Sequence, residues 1–214
     1  DMESDMNMDW PNLVKYRLEN KKLDVQSNNQ NRVVFMGDSI TEGWSQLYPK
    51  YFGQKGYINR GIGGQTPPQM LIRFKPDVID LNPFAVVILA GTNDIAGNTG
   101  LSNIKMITDN IFSMSNLAKV HGIKVILSSI LPVYKYEWAK EIKNVPSIIL
   151  AINDKLKEFA ISNNMEYLDY YSTVVDARGG LMEEYSPDGV HPNIKGYEVM
   201  SDLAEKVLIR ILDL

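Results

Sequence analysis

Three short runs in this chain, RVVFM from Arg32, AVVILA from Ala85 and KVILSS from Lys124, are apolar at consecutive positions rather than at alternate ones. A strand with one wet face alternates apolar and polar residues. A strand that is apolar on both faces must be covered on both, the environment of a parallel sheet between layers of helices. The expected strands are Arg32–Met36, Tyr57–Arg60, Ala85–Ala90, Lys124–Ser128 and Glu166–Asp169. Between and around them apolar residues recur every three or four positions, which predicts helices over 11–25, 69–81, 101–120, 146–162 and 193–214. Such alternation implies βαβ units with right-handed crossovers, and so an α/β fold with a doubly wound parallel sheet. The 214 residues, 44% of them hydrophobic, are enough for one such domain, and no linker or repeat divides them. Residues 1–31 are expected to be an N-terminal segment and helix packed on a single domain spanning 32–214.

In sheets of this kind ligands bind beyond the carboxyl ends of the strands. The loops at those ends read GDSIT, GIGGQT, GTNDIAGNTG and SILPVYKYEWAKEIKN. Composition narrows what they can do. With no cysteine, disulfides, thiolate catalysis and Cys-based zinc sites are excluded together. A net charge of −4 without a basic stripe argues against nucleic acid or an anionic membrane as partner. No stretch approaches the roughly 18 apolar residues of a membrane span. The opening DMESDMNMDW has no apolar signal core, and a start at Asp suggests a trimmed or processed form.

Ser39 follows the first strand, where a serine can be a helix cap or a nucleophile. A nucleophilic serine needs a base, and the chain has two histidines. His121, at the end of a helical pattern and followed by Gly122, fits a helix terminus. His191 stands three residues after Asp188 in DGVH, which can bring a carboxylate to one imidazole nitrogen or can simply be an Asx turn before a helix. A metal reading is weaker, because no second histidine or paired acidic cluster accompanies this pair. In NRGIGGQT, glycines at 61, 63 and 64 let backbone approach a ligand or make a tight turn, and neither phosphate-loop spacing is present. Asn93 can donate a side-chain amide to an anion or cap a turn. Tyr134, Tyr136 and Trp138 lie in the loop after the fourth strand, available to stack on a sugar or acyl group or to pack that loop. Trp44 is expected in the core of the first helix. Asp38, beside the serine, is the tempting triad acid; it is expected instead to fix the turn, with a substrate contact as a further possibility.

GDSIT (37–41), GIGG (61–64), GTND (91–94) and DGVH (188–191) resemble, in order, the four signature blocks of the GDSL, or SGNH, hydrolases. The resemblance runs from Arg32 to about Tyr197 and is strongest to the bacterial acetylhydrolase and carbohydrate acetylesterase branch. It implies a flavodoxin-like three-layer αβα sandwich with a five-stranded parallel sheet in the order 2-1-3-4-5. It also implies Ser39 as nucleophile, His191 as base and Asp188 as its orienting acid. Oxyanion donors would come from Ser39, Gly64 and Asn93, with no metal or organic cofactor. Ile40 replaces the family's leucine. The expected activity is hydrolysis of short-chain esters, acetyl first, on a small molecule or glycan through an acyl-enzyme. Lysophospholipase, thioesterase or arylesterase activity would use the same machinery, and a silent carbohydrate-binding protein is the rival of another class. Action on a polysaccharide favours an exported, periplasmic or cell-surface location over the cytoplasm. Oligomeric state and a lid role for 133–146 are left open.

Overall fold

In the computed structural model, residues 9–23, 32–53 and 55–212 are described. Five parallel strands, β1 (Val33–Gly37), β2 (Tyr57–Gly61), β3 (Ala85–Leu89), β4 (Lys124–Ser128) and β5 (Glu166–Leu168), form one sheet in the order β2-β1-β3-β4-β5. The continuous apolar runs have a direct cause. On β1, Val34 and Met36 enter one core while Val33 and Phe35 enter the other, and β3 divides in the same way between Val86, Ile88 and Ala85, Val87, Leu89. Each strand therefore buries every side chain.

The helices in chain order are α1 (Arg17–Lys22), α2 (Ser39–Leu47), α3 (Lys50–Gly53), α4 (Pro67–Asp77), α5 (Thr92–Ile95), α6 (Ile104–Val120), α7 (Val145–Ser162), α8 (Tyr171–Val174) and α9 (Ile194–Leu212). One core takes Met70 and Phe74 of α4, Ile111 and Met114 of α6, and Ile149 and Leu156 of α7. The opposite core takes Trp44 of α2, Tyr51 and Phe52 of α3, and Tyr197, Met200 and Leu208 of α9. Three layers result, as the alternation implied.

The limits of β4 are those expected, the other strands differ by one residue, and the helices differ more. α4 starts two residues early, because Thr66 and Gln69 form a capping box and proline suits the first turn. It gives way after Asp77 to a short 3-10 turn, Ile79–Leu81. α6 starts at Ile104 because the Asn103 side chain accepts the Met106 N–H at 2.9 Å. The helix expected over 11–25 is only Arg17–Lys22, since Asn12 at φ 55° is left-handed and the residues between are turns. Residues 24, 25, 213 and 214 lie outside the described residues.

β1 and β3 are where the winding of the sheet reverses, and their carboxyl ends set the site. Gly37 faces Gly61 on one side and Leu89 on the other. A Cβ on Gly61 would lie 2.2 Å from the Glu42 backbone nitrogen, so the end of β2 touches the first turn of α2 as only glycine allows.

Candidate active site

Ser39 is the first residue of α2, and Asp38 caps that helix by accepting the Ile40 N–H at 2.9 Å. At this position the Ser39 N–H has no acceptor within the helix. Asp38 is 1% exposed, so the structure removes it from the possible substrate contacts: its carboxylate is spent on the turn.

The Ser39 hydroxyl lies 3.0 Å from His191 Nε2, and His191 Nδ1 lies 2.7 Å from Asp188 Oδ2. The other Asp188 oxygen accepts the Val190 and His191 N–H groups at 2.9 and 2.7 Å. Desolvation raises the Asp188 pKa, but hydrogen bonds from the His191 backbone and ring and from Val190 outweigh it and hold the carboxyl down at about 2. Asp188 is thus a carboxylate at neutral pH. Ser186, which sequence reasoning missed, bonds the His191 carbonyl at 2.8 Å and accepts the Gly189 N–H at 2.9 Å, closing the turn that carries the pair.

Helix docking sets the serine–histidine distance. His191 lies just before α9, and α9 is tied to α2 by the Tyr197 hydroxyl on the Ile40 carbonyl at 2.7 Å and by Trp44 Nε1 on Ser201 Oγ at 3.0 Å. Trp44 stacks on both Tyr51 and Tyr197, as befits the core residue expected.

The turn after β2 lies against Ser39: a Cβ on Gly63 would come within 3.8 Å of Ser39 Cβ. Gly64 has φ +75°, a conformation that favours glycine, and its N–H has no acceptor among the described residues. Asn93, in α5, gives one amide N–H to the Gln65 carbonyl at 2.9 Å, and its second N–H remains to donate. Beneath the turn, Arg73 is fully buried. Its guanidinium donates to Gln65 Oε1 at 2.6 Å, the Gly37 carbonyl at 3.0 Å and Asp77 Oδ2 at 3.1 Å.

The three aromatics of the loop after β4 have different fates. Tyr136 is 0% exposed and its hydroxyl meets Thr92 Oγ1 at 2.7 Å, so it packs the loop on α5 and is no substrate contact. Trp138 is half exposed, with its ring 6.4 Å from that of His191. Tyr134, also half exposed, lies under the Arg178 guanidinium and lines a cavity of about 410 Å³ shared with Asp188 and Gly189. His121 caps α6, its Nδ1–H donating to the Leu117 carbonyl at 2.8 Å. Among the described residues no group of three or more His, Asp or Glu could hold a metal ion.

The profile of the GDSL-like lipase/acylhydrolase family matches residues 35–199. The chain belongs to that family. Among solved structures, a candidate acylhydrolase from Bacteroides fragilis is 46% identical, with a TM-score of 0.93 over 95% of this chain and 98% of that one. A GDSL-like lipase from Bacteroides thetaiotaomicron is 43% identical, with a TM-score of 0.91 over 94% and 98% of the two chains. The uncharacterized lipoprotein YqeF of Bacillus subtilis is 34% identical over 119 residues, 47% of this chain and 49% of that protein. The chain thus spans about half the length of that curated relative. Family and neighbours together make this acylhydrolase an ester hydrolase.

One buried acid of the acylhydrolase has a measurable cost. Asp94 is 3% exposed, and its Oδ2 has no hydrogen-bond partner among the described residues. Burial, then the charge of Asp38, push its carboxyl up to about 7. The folded chain therefore keeps this proton while the unfolded chain loses it near its ordinary value, so stability falls as pH rises from about 4 to about 7. Asp94→Asn lacks this titration. Its stability relative to the wild type is expected to rise by on the order of 3 kcal/mol across that window, read by urea unfolding at pH 4 and pH 8. A difference that does not change with pH would rule out the buried, protonated acid.

Proposed function

We propose that Ser39 is the nucleophile of this ester hydrolase and that its substrates are short-chain esters, acetyl first, carried on carbohydrate. The observation that carries this reading is the line from Asp188 through both nitrogens of His191 to the Ser39 hydroxyl, at 2.7 and 3.0 Å. His191 Nε2 takes the hydroxyl proton as Ser39 Oγ attacks the ester carbonyl. The negative oxygen of the tetrahedral intermediate faces the N–H groups of Ser39 and Gly64 and the Asn93 amide. Collapse of the intermediate breaks the ester C–O bond, and His191 returns the proton to the leaving alcohol. Water then attacks the acyl-enzyme with His191 again as base, releasing the acid and restoring Ser39. Asp188, ionised throughout, holds the imidazole with Nε2 free to accept.

The sugar assignment rests on the rim. The half-exposed Trp138 ring beside His191, with the Asn98 amide bonded to its indole N–H at 3.3 Å, offers an aromatic face and a polar edge. That pairing suits a pyranose leaving group better than an acyl chain. The lipoprotein name of the Bacillus relative supports an exported location.

The test is a panel of 4-nitrophenyl esters from acetate to dodecanoate, alongside acetate release from acetylated glycans. Acetate is expected to be preferred over octanoate by at least about tenfold in kcat/KM, whereas a pocket built for longer acyl chains would reward an added methylene by about 1–3 kcal/mol. Preference for eight carbons or more would replace the reading with lysophospholipase or thioesterase activity. Binding of glycans with no ester turnover would leave a carbohydrate-binding protein.

A further inference from the structure

The glycine turn presents a mechanical problem. Three glycines in four positions leave its backbone few steric restraints, yet an oxyanion donor stabilises a transition state only if it is already in place. Two hydrogen bonds bracket the Gly64 amide. On one side, Glu42 Oε2 accepts the Gly63 N–H at 2.7 Å. On the other, Asn98 Nδ2 donates to the Gly64 carbonyl at 3.2 Å, and Asn98 is itself held by Trp138. The Gly64 N–H between them is left without a partner among the described residues.

Glu42 is anchored in turn. It sits in the first turns of α2, three residues after Ser39, and its Oε1 pairs with Lys15. Lys15 belongs to the N-terminal segment 9–23, which crosses this edge of the molecule and bonds the turn elsewhere. The Tyr16 hydroxyl donates to the Gly61 carbonyl, Gln65 Nε2 donates to the Pro11 carbonyl at 2.7 Å, and Gln69 Nε2 donates to the Trp10 carbonyl at 3.0 Å. Four contacts from one short segment thus converge on residues 42, 61, 65 and 69, around the oxyanion turn and the helix that follows it.

We infer that segment 9–23 is a strap that clamps the oxyanion turn, with Glu42 the positioning residue through which it acts. Glu42 touches no reacting atom. It fixes the Gly63 amide so that the next N–H along the chain, that of Gly64, faces the carbonyl oxygen. This rests on the reading of Gly64 and Asn93 as oxyanion donors, and the experiment separates the two.

Glu42→Ala, Glu42→Gln, Lys15→Met and Asn93→Ala are compared for kcat, KM and melting temperature on 4-nitrophenyl acetate, and for the rate at which a fluorophosphonate reacts with Ser39. A donor misplaced by about 1 Å can cost on the order of a hundredfold in rate. Glu42→Ala is expected to lower kcat about 30-fold with KM within about twofold, and to slow phosphonylation in parallel. Glu42→Gln keeps an acceptor oxygen and is expected to recover most of the loss, while Lys15→Met, which frees the carboxylate, falls between wild type and Glu42→Ala. If Asn93→Ala loses about a hundredfold or more while Glu42→Ala keeps full kcat, the clamp is wrong and the oxyanion reading stands. If neither loses kcat, both are wrong. A Glu42→Gln as impaired as Glu42→Ala, or losses in kcat that simply follow the melting temperature, would also overturn the positioning role.

Discussion

Ser39→Ala is expected to lower kcat/KM for ester hydrolysis by about 10⁴-fold or more while the protein stays folded. The side chain removed is one oxygen at the start of a helix, partly exposed, with His191 its hydrogen-bond partner. Alanine fits a first helical position, so the melting temperature and circular dichroism should change little. His191→Ala is expected to cost a similar factor, and the double variant no more than either single one, because groups acting as a unit are not additive. Residual rate above background would come from the oxyanion donors. Steady-state kinetics on 4-nitrophenyl acetate, with unfolding curves for all three variants, reads every part of this expectation.

The second large effect is on stability. Arg73→Ala is expected to destabilise the fold by about 3–5 kcal/mol, a large share of the roughly 5–15 kcal/mol that holds a domain together. Burial lowers the Arg73 pKa and Asp77 opposes this, so the guanidinium is charged and paired in the core. Removing it strands the Asp77 carboxylate, which is 1% exposed and among the described residues keeps Asn20 Nδ2 at 2.8 Å on its other oxygen. It also leaves Gln65 Oε1 without its donor, and the Gly37 carbonyl with the Ile62 N–H at 3.1 Å but without the guanidinium. Burying unpaired polar groups is what costs, more than the loss of attraction. Arg73→Met, which fills the space, should recover part of the packing but not the hydrogen bonds. The urea midpoint decides, and a shift corresponding to less than about 1 kcal/mol would show the network to be dispensable.

Much of this architecture is written locally in the chain. Burial on both faces leaves no room for polar residues on β1, β3 and the middle of β4, Val125 to Leu127, so the strands announce themselves as unbroken apolar runs. Ser39, the glycine turn, Asn93 and the Asp188–His191 pair sit at strand ends or in one short motif, where the topology gathers them. What escaped notice acts over distance. Arg73 reads as one more charge in a helix, although it shares the buried side with Met70 and Phe74, three and one positions away. Glu42, Ser186 and Asn98 have partners that no periodicity reveals. Tyr136 looks available from its place in the loop after the fourth strand; a hydroxyl satisfied by Thr92 can be buried without penalty. The N-terminal helix was expected too long because apolar spacing continues through Asn12, whose left-handed backbone no helix accommodates.

In the proposed reaction the attacking atom is Ser39 Oγ, activated by His191. The most direct measurement treats the protein with a fluorophosphonate and locates the adduct by peptide mass spectrometry. One phosphonyl group is expected on Ser39, none on Ser39→Ala, and labelling of His191→Ala slower by about three orders of magnitude. An adduct on another serine, or labelling of Ser39→Ala at the wild-type rate, would contradict it.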